Sequence, residues 1–245
     1  MTGKFIGVGV GPGDPELLTI KALHAMERCD VIAIPVSDIG LEKPVAHAEQ
    51  KDAEMYLERC VAYTIAIQAY PELENKVKFF LPMPMIKEKE ILKKIHDEDA
   101  AFVAKLLDQD KEVVFLTLGD PSVYSTCMYV HKRLKKMGYV TEMIPGIPSF
   151  CAAAARLDVP LVENKEELHV IPASYGIEAS LHLPGTKVLM KAGRKMEVVK
   201  NYLLQNNVEA EMVENCGMAD EHVYLKAEEI PEKAGYYSLL IVKEK

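Results

Sequence analysis

Two short loops carry the residue types from which a reaction site could be built. The first is Gly7-Val8-Gly9-Val10-Gly11-Pro12-Gly13-Asp14. A dinucleotide fingerprint GxGxxG requires a third glycine three residues after its second. Counted from Gly7-x-Gly9 that position is Pro12, and from Gly9-x-Gly11 it is Asp14, so both registers fail. The phosphate loop GxxxxGK[ST] is absent, because no Gly-Lys-Ser/Thr occurs. Asp14 also works against a pyrophosphate, since its carboxylate would compete for the same amides and the same helix dipole. The loop is either a tight turn that brings backbone close to a ligand without phosphate, or a turn needed only for strand–helix packing.

The second loop lies in Leu116-Thr117-Leu118-Gly119-Asp120-Pro121-Ser122-Val123-Tyr124-Ser125-Thr126. It follows a buried strand, the usual ligand position on an open parallel sheet. Gly119 permits close backbone approach, Asp120 offers a carboxylate, and Ser125 and Thr126 offer hydroxyls. Such groups suit a ligand with a positive sulfur, an ammonium and a ribose better than Lys or Arg would. The competing reading is that Asp120-Pro121 only caps the next helix.

Positive charge gathers at Lys191-Ala192-Gly193-Arg194-Lys195, and Arg156 follows an alanine-rich run. Lys191, Arg194, Lys195 and Arg156 are candidates for holding an anionic substrate, although a solvated surface accounts for the same charges. The five cysteines form no CxxC pair and the seven histidines no HxxxH pair, so no protein-held metal is expected. His47, His131, His169 and Tyr124 are candidates for a proton transfer, against an ordinary packing or surface role for each, and no catalytic residue is assigned.

The 245 residues are 49% hydrophobic, enough for one large or two modest domains. With 29 basic and 37 acidic residues the net charge is −8, which weighs against nucleic-acid binding. Phe5–Val10 is too short for an export signal, and no stretch approaches the roughly 20 apolar residues of a membrane helix. A cytoplasmic protein is expected, with neither a nucleic-acid nor a membrane partner.

These loops need a frame of strands and helices. Lys4–Val10 reads as a buried strand and Pro15 to about Arg28 as a helix, started by Asp14 and Pro15. Val31–Ile34 and Val77–Leu81 read as strands, with a helical region between Pro44 and Pro71. Glu88 to Gln109 reads as a helix and Val113–Leu118 as a strand of parallel-sheet type. Gly119-Asp120-Pro121 then turns into a helix that fades at Lys135–Gly138, followed by a strand at Tyr139–Ile144. After Pro145-Gly146-Ile147-Pro148 come a helix at Ser149–Leu157 and strands at Leu168–Ile171, Lys187–Met190, Glu209–Val213 and Ser238–Val242. A helix from about Lys195 to Gln205 separates two of these. The pattern predicts an α/β protein with domains at 1–146 and 147–245.

Taken together the motifs resemble the tetrapyrrole (corrin/porphyrin) methyltransferase family. They are Val8-Gly9-Val10-Gly11-Pro12-Gly13-Asp14-Pro15, Gly119-Asp120-Pro121, Pro145-Gly146-Ile147-Pro148-Ser149 and Val188-Leu189-Met190. Order and spacing match over nearly the whole chain. Thr117–Thr126 and Ile144–Ala155 are similar to the precorrin-2 C20-methyltransferase branch. Pro148 departs from the pattern, which commonly has Thr there, so a hydroxyl and a backbone donor are lost. Residues 39–74 carry no clear family motif.

The resemblance implies two α/β domains of the tetrapyrrole methyltransferase type with S-adenosyl-L-methionine in the cleft between them, leaving as S-adenosyl-L-homocysteine. It implies cofactor contacts from Val10, Pro12, Gly119, Asp120, Val123, Tyr124, Ser125, Thr126, Pro148, Ser149 and Met190, with a further contact near Asn215-Cys216. It implies a polycarboxylate tetrapyrrole substrate, methylated at C20 in cobalamin biosynthesis, and a homodimer. Alternatives are another tetrapyrrole carbon, a diphthamide precursor or ribosomal RNA as methyl acceptor. Outside the methyltransferases they are an NAD-type oxidoreductase, opposed by the broken fingerprint, and a non-enzymatic tetrapyrrole or cobalt carrier.

Overall fold

A computed structural model describes residues 3–37, 40–46, 48–173 and 178–243. The chain divides into two compact units, Met1–Ile147 and Pro148–Lys245. The first unit is built from β1 (Lys4–Gly9), α1 (Ile20–Arg28), β2 (Val31–Val36), α2 (Gln50–Arg59) and α3 (Val61–Ala69), then β3 (Val77–Pro82), α4 (Lys89–Leu107), β4 (Glu112–Thr117), α5 (Cys127–Lys136) and β5 (Val140–Ile144). Its five strands form one parallel sheet in the order β3-β2-β4-β1-β5.

Both faces of this sheet are covered, which is why β1, β2 and β4 are almost continuously apolar. On one face Ile6, Val8, Ile32, Ile34, Val114 and Leu116 pack with α1 and α3 through Ala22, Met26, Ile65 and Ala66. On the other Phe5, Phe79, Phe115 and Val113 pack with α4 and α5 through Val103, Leu107, Val130 and Leu134. Phe5, Phe79 and Phe115 are fully buried, each worth about 1.5–3 kcal/mol of transfer free energy.

Two helices begin later than the sequence indicates. Asp14 Oδ1 accepts the Glu16 amide at 2.8 Å, but this starts only a short 3₁₀ turn, Pro15–Leu17. Leu18 and Thr19 are extended, and Thr19 caps α1 by accepting the Ala22 amide at 3.1 Å. Similarly, α5 starts at Cys127 rather than directly after Pro121.

The second unit contains α6 (Ser149–Leu157), β6 (Leu168–Pro172), α7 (Glu178–Leu181), β7 (Thr186–Met190) and α8 (Met196–Gln205), then β8 (Ala210–Glu214), β9 (His222–Tyr224) and β10 (Ser238–Val242). The sheet order is β6-β7-β10-β8-β9, with β6 and β7 parallel and the other pairs antiparallel. Helix α6 packs on one face with Val188, Val213, Leu239 and Ile241. Helix α8 packs on the other with Leu189, Met212 and Leu240. Strand β9 has no counterpart in the sequence reading.

Candidate functional site

Strands β1 and β4 are neighbours, yet their outgoing connections diverge. β1 leads through α1 to β2 on one side, and β4 leads through α5 to β5 on the other. Helices α1 and α5 lie on opposite faces of the sheet. The strand order therefore reverses between the carboxyl ends of β1 and β4, the place where open α/β sheets bind ligands. Both sequence loops sit there.

The loops are joined backbone to backbone. Gly119 donates its amide to Gly11 O at 2.8 Å, and Gly11 donates to Gly119 O at 3.3 Å. A third loop joins them behind β5. A Cβ on Gly9 would stand 2.5 Å from Gly119 O and 2.6 Å from Gly146 N, and a Cβ on Gly146 would meet Gly119 O. Any side chain at either position would push the three loops apart, so these glycines are set by close approach.

Asp120 clamps the junction. Its Oδ1 accepts the Ser122 amide at 2.8 Å and the Ser122 hydroxyl, and its Oδ2 accepts the Gly146 amide at 3.1 Å. The residue is buried. Both carboxylate oxygens are thus used inside the protein, one holding its own turn and one holding the β5 loop. Ser125 is similarly committed: its hydroxyl lies 2.7 Å from Thr117 Oγ1 and accepts the Cys127 amide at 3.1 Å, starting α5. Between these anchors Tyr124 sits at φ +50°. A left-handed tyrosine stores about 1–3 kcal/mol and persists only where its flanks hold it.

The structure thus brings Gly119, Asp120, Val123, Tyr124, Ser125 and Thr126 together in the segment between β4 and α5. Val10 and Pro12 are buried in the neighbouring loop, where the Val10 amide donates to Thr117 O at 3.0 Å. Neither loop holds a Lys or Arg. Cys127 is not a nucleophile at neutral pH, because burial pushes its thiol up to about 12.

In the second unit, Pro148 and Ser149 start α6. Met190 ends β7 and packs in the same cluster as Phe150, so these positions share one face of the sheet. Lys191 turns the chain at φ +60° into the 3₁₀ turn Gly193–Lys195, beside the backbone of Gly235. Asn215, also left-handed, follows β8 and donates to Asp220 Oδ2 at 2.7 Å. Arg156 is engaged: its Nε donates to the Glu221 carboxylate, whose Oε2 accepts the Gly217 amide at 2.8 Å. Burial acts to raise Glu221, but the Gly217 amide and Arg156 together hold it below the usual carboxylate range. The Arg194 side chain and His47 lie outside the described residues.

His131 is buried under the first sheet, edge-on to Phe5, and burial together with Lys135 and Lys132 lowers its pKa. His169 lies 3.3 Å from the Glu167 carboxylate. Among the described residues no group of three or more His, Cys, Asp or Glu side chains is placed to hold a metal, and no helix is long and apolar enough to cross a membrane. Sequence reasoning missed Gly9, Thr117, Ser122 and Gly146 as site-building residues. The Gly146 signal was present in Pro145-Gly146-Ile147, but its partner Asp120 is 26 residues away.

The model of tetrapyrrole (corrin/porphyrin) methylases matches residues 4–231. The chain is 37% identical over 246 residues to the probable cobalt-precorrin-2 C(20)-methyltransferase of Methanocaldococcus jannaschii, spanning 98% of this chain and 96% of that protein. It is 30% identical over 251 residues to the precorrin-2 C(20)-methyltransferase of a Sinorhizobium species, spanning 98% and 95%. The solved structure of a cobalt precorrin-4 methyltransferase, a cobalamin biosynthetic enzyme, superposes with a TM-score of 0.70 over 98% of this chain and 94% of that one. At 17% identity this is a likeness of fold.

Proposed function

From the premise that the chain belongs to the tetrapyrrole (corrin/porphyrin) methylase family, we propose that it methylates C20 of precorrin-2 or cobalt-precorrin-2. The methyl donor is S-adenosylmethionine, and the product is precorrin-3A or cobalt-precorrin-3 on the way to cobalamin. The observation that carries this reading is 37% and 30% identity, over nearly the full length, to two C20-methyltransferases, one described with cobalt in its substrate and one without.

The donor groups at the switch point fit the cofactor. The two loops lack cationic side chains, which suits a sulfonium and an ammonium. S-adenosylmethionine, when bound, supplies a methyl group already activated by positively charged sulfur. In this proposal the backbone of Gly119 through Thr126, with Val10, Pro12, Pro148, Ser149 and Met190, holds it. Asp120 acts by fixing the backbone around it. The apolar side chains of Val10, Pro12 and Val123 exclude water. The protein's main task is alignment of an electron-rich carbon, which is worth roughly 7–11 kcal/mol in favourable cases. Lys191 and Lys195 are the proposed contacts to substrate carboxylates, in a cytoplasmic homodimer.

The test is release of S-adenosylhomocysteine from S-adenosylmethionine with each candidate substrate. Release with precorrin-2, its cobalt complex or both is expected. Release with uroporphyrinogen III and with neither of these would move the reading to another tetrapyrrole carbon.

A further inference from the structure

Arg156 lies on the last turn of α6, and its Nε donates to the Glu221 carboxylate. The other carboxylate oxygen, Oε2, accepts the Gly217 amide at 2.8 Å. Through Glu221 one guanidinium therefore fixes the backbone of the loop between β8 and β9. Two residues of that loop, Asn215 and Gly217, are left-handed at φ +53° and +77°, with Cys216 between them. Its near end is tied to β10, where the Asn215 amide donates to Tyr237 O at 3.2 Å. Within it the Asn215 side chain donates to Asp220 Oδ2 at 2.7 Å, and the Met218 amide donates to Asn215 O at 2.9 Å. Its far end is held by Glu221.

The place of the loop gives this clamp a use. Strands β7 and β8 both run antiparallel to β10, so they finish at the same end of the sheet. Met190 and Val213 both pair with Leu239, which puts them about 10 Å apart, two strand spacings. Cys216 packs in the same cluster as Met190 and Phe150. Helix α6 carries Ser149 at its first position and Arg156 in its last turn. One rigid element thus bears both a proposed cofactor residue and the clamp on the loop. We propose that Arg156, acting through Glu221, is a positioning residue for the cofactor, holding the Asn215–Cys216 backbone where it meets S-adenosylmethionine beside Met190. The inference rests on the cofactor reading above. It assigns the guanidinium to the loop rather than to a substrate carboxylate.

The test measures S-adenosylhomocysteine affinity by calorimetry for the wild type, Arg156→Ala, Arg156→Lys and Glu221→Ala. Arg156→Ala should weaken binding about fivefold, and Glu221→Ala, which also takes the acceptor from Gly217, at least about tenfold. Arg156→Lys keeps a cation beside Glu221 and should recover most of the loss. Adding Arg156→Ala to Glu221→Ala should cost nothing further, because both act through one carboxylate. The Tm of Arg156→Ala should fall by no more than about 2 °C, since the side chain is half-exposed. At saturating S-adenosylmethionine its KM for precorrin-2 should stay within about twofold of the wild type. Wild-type cofactor affinity in Arg156→Ala overturns the inference, whether its Tm falls or its KM for precorrin-2 rises. A full further loss in the double variant overturns it as well. A wild type that binds no S-adenosylhomocysteine overturns the cofactor reading and the inference with it. A wild type that binds it but methylates neither precorrin-2 nor its cobalt complex overturns the C20 reading alone, and the titrations still decide Arg156.

Discussion

Oδ2 of Asp120 accepts the Gly146 amide at 3.1 Å, joining the loop after β4 to the loop after β5 across the glycine contacts of Gly9, Gly119 and Gly146. The other oxygen of the same carboxylate holds Ser122. A residue that looks from sequence like a ligand for a cationic cofactor is thus a double acceptor within the protein.

Asp120→Asn tests this. An asparagine has one acceptor oxygen, and its NH₂ would face a donor, either the Gly146 amide or Ser122. The variant should lose about 1–3 kcal/mol of stability, the cost of leaving a buried donor unmet. Urea denaturation measures it. An Asn variant as stable as the wild type would mean that Asp120 does no more than cap, since Asn is a nearly equal cap.

Glu142 on β5 gives a prediction about pH. Lys21 lies 2.6 Å from its carboxylate and Lys4 bonds the other oxygen, and these two cations pull its pKa down from 4.5 to about 2. A depressed carboxylate pKa contributes stability that is fully present above its unfolded value and is lost as pH falls through the folded one. The stability difference between wild type and Glu142→Gln should therefore be constant above about pH 5 and shrink between 4.5 and about 2. It should also weaken with salt, because Lys21 is largely exposed. A difference that grows in acid would contradict the assignment.

Local chemistry made some of this legible in the sequence and left the rest hidden. The parallel unit shows through because β1, β2 and β4 are buried on both faces and read as unbroken apolar runs. Asp14 and Pro15 mark a turn start correctly, but they mark a 3₁₀ turn, and the cap that matters for α1 is Thr19. The late start of α5 follows from the left-handed Tyr124 and the Ser125 cap, which helical periodicity does not register. Strand β9 is three partly exposed residues at a sheet edge, too short to alternate. The Asp120–Gly146 and Arg156–Glu221 bonds join positions far apart in the chain, and no local pattern announces them.

Asp99 on α4 is fully buried, and neither of its carboxylate oxygens has a hydrogen-bond partner. His96 Nδ1 lies 3.5 Å away without hydrogen-bond geometry. Burial raises the Asp99 pKa, and His96 offsets this only in part. A raised carboxylate pKa gives stability that is present below the unfolded value and lost as pH rises through the folded one. Asp99→Asn should accordingly gain stability relative to the wild type as pH rises above the ordinary Asp value of 3.8. Thermal unfolding across that range decides it. An Asn variant that loses ground with rising pH would show instead that Asp99 is a paired anion.

Methylation at C20 fixes the position of the new methyl group on the macrocycle. The direct measurement supplies S-adenosylmethionine with a ¹³C-labelled methyl and locates the label in the tetrapyrrole product by ¹³C NMR. A single new ¹³C-methyl on C20 is expected, from precorrin-2 or from its cobalt complex, accompanied by S-adenosylhomocysteine. A label on any other ring carbon, or an unmodified macrocycle recovered from enzyme that binds S-adenosylhomocysteine, would contradict it.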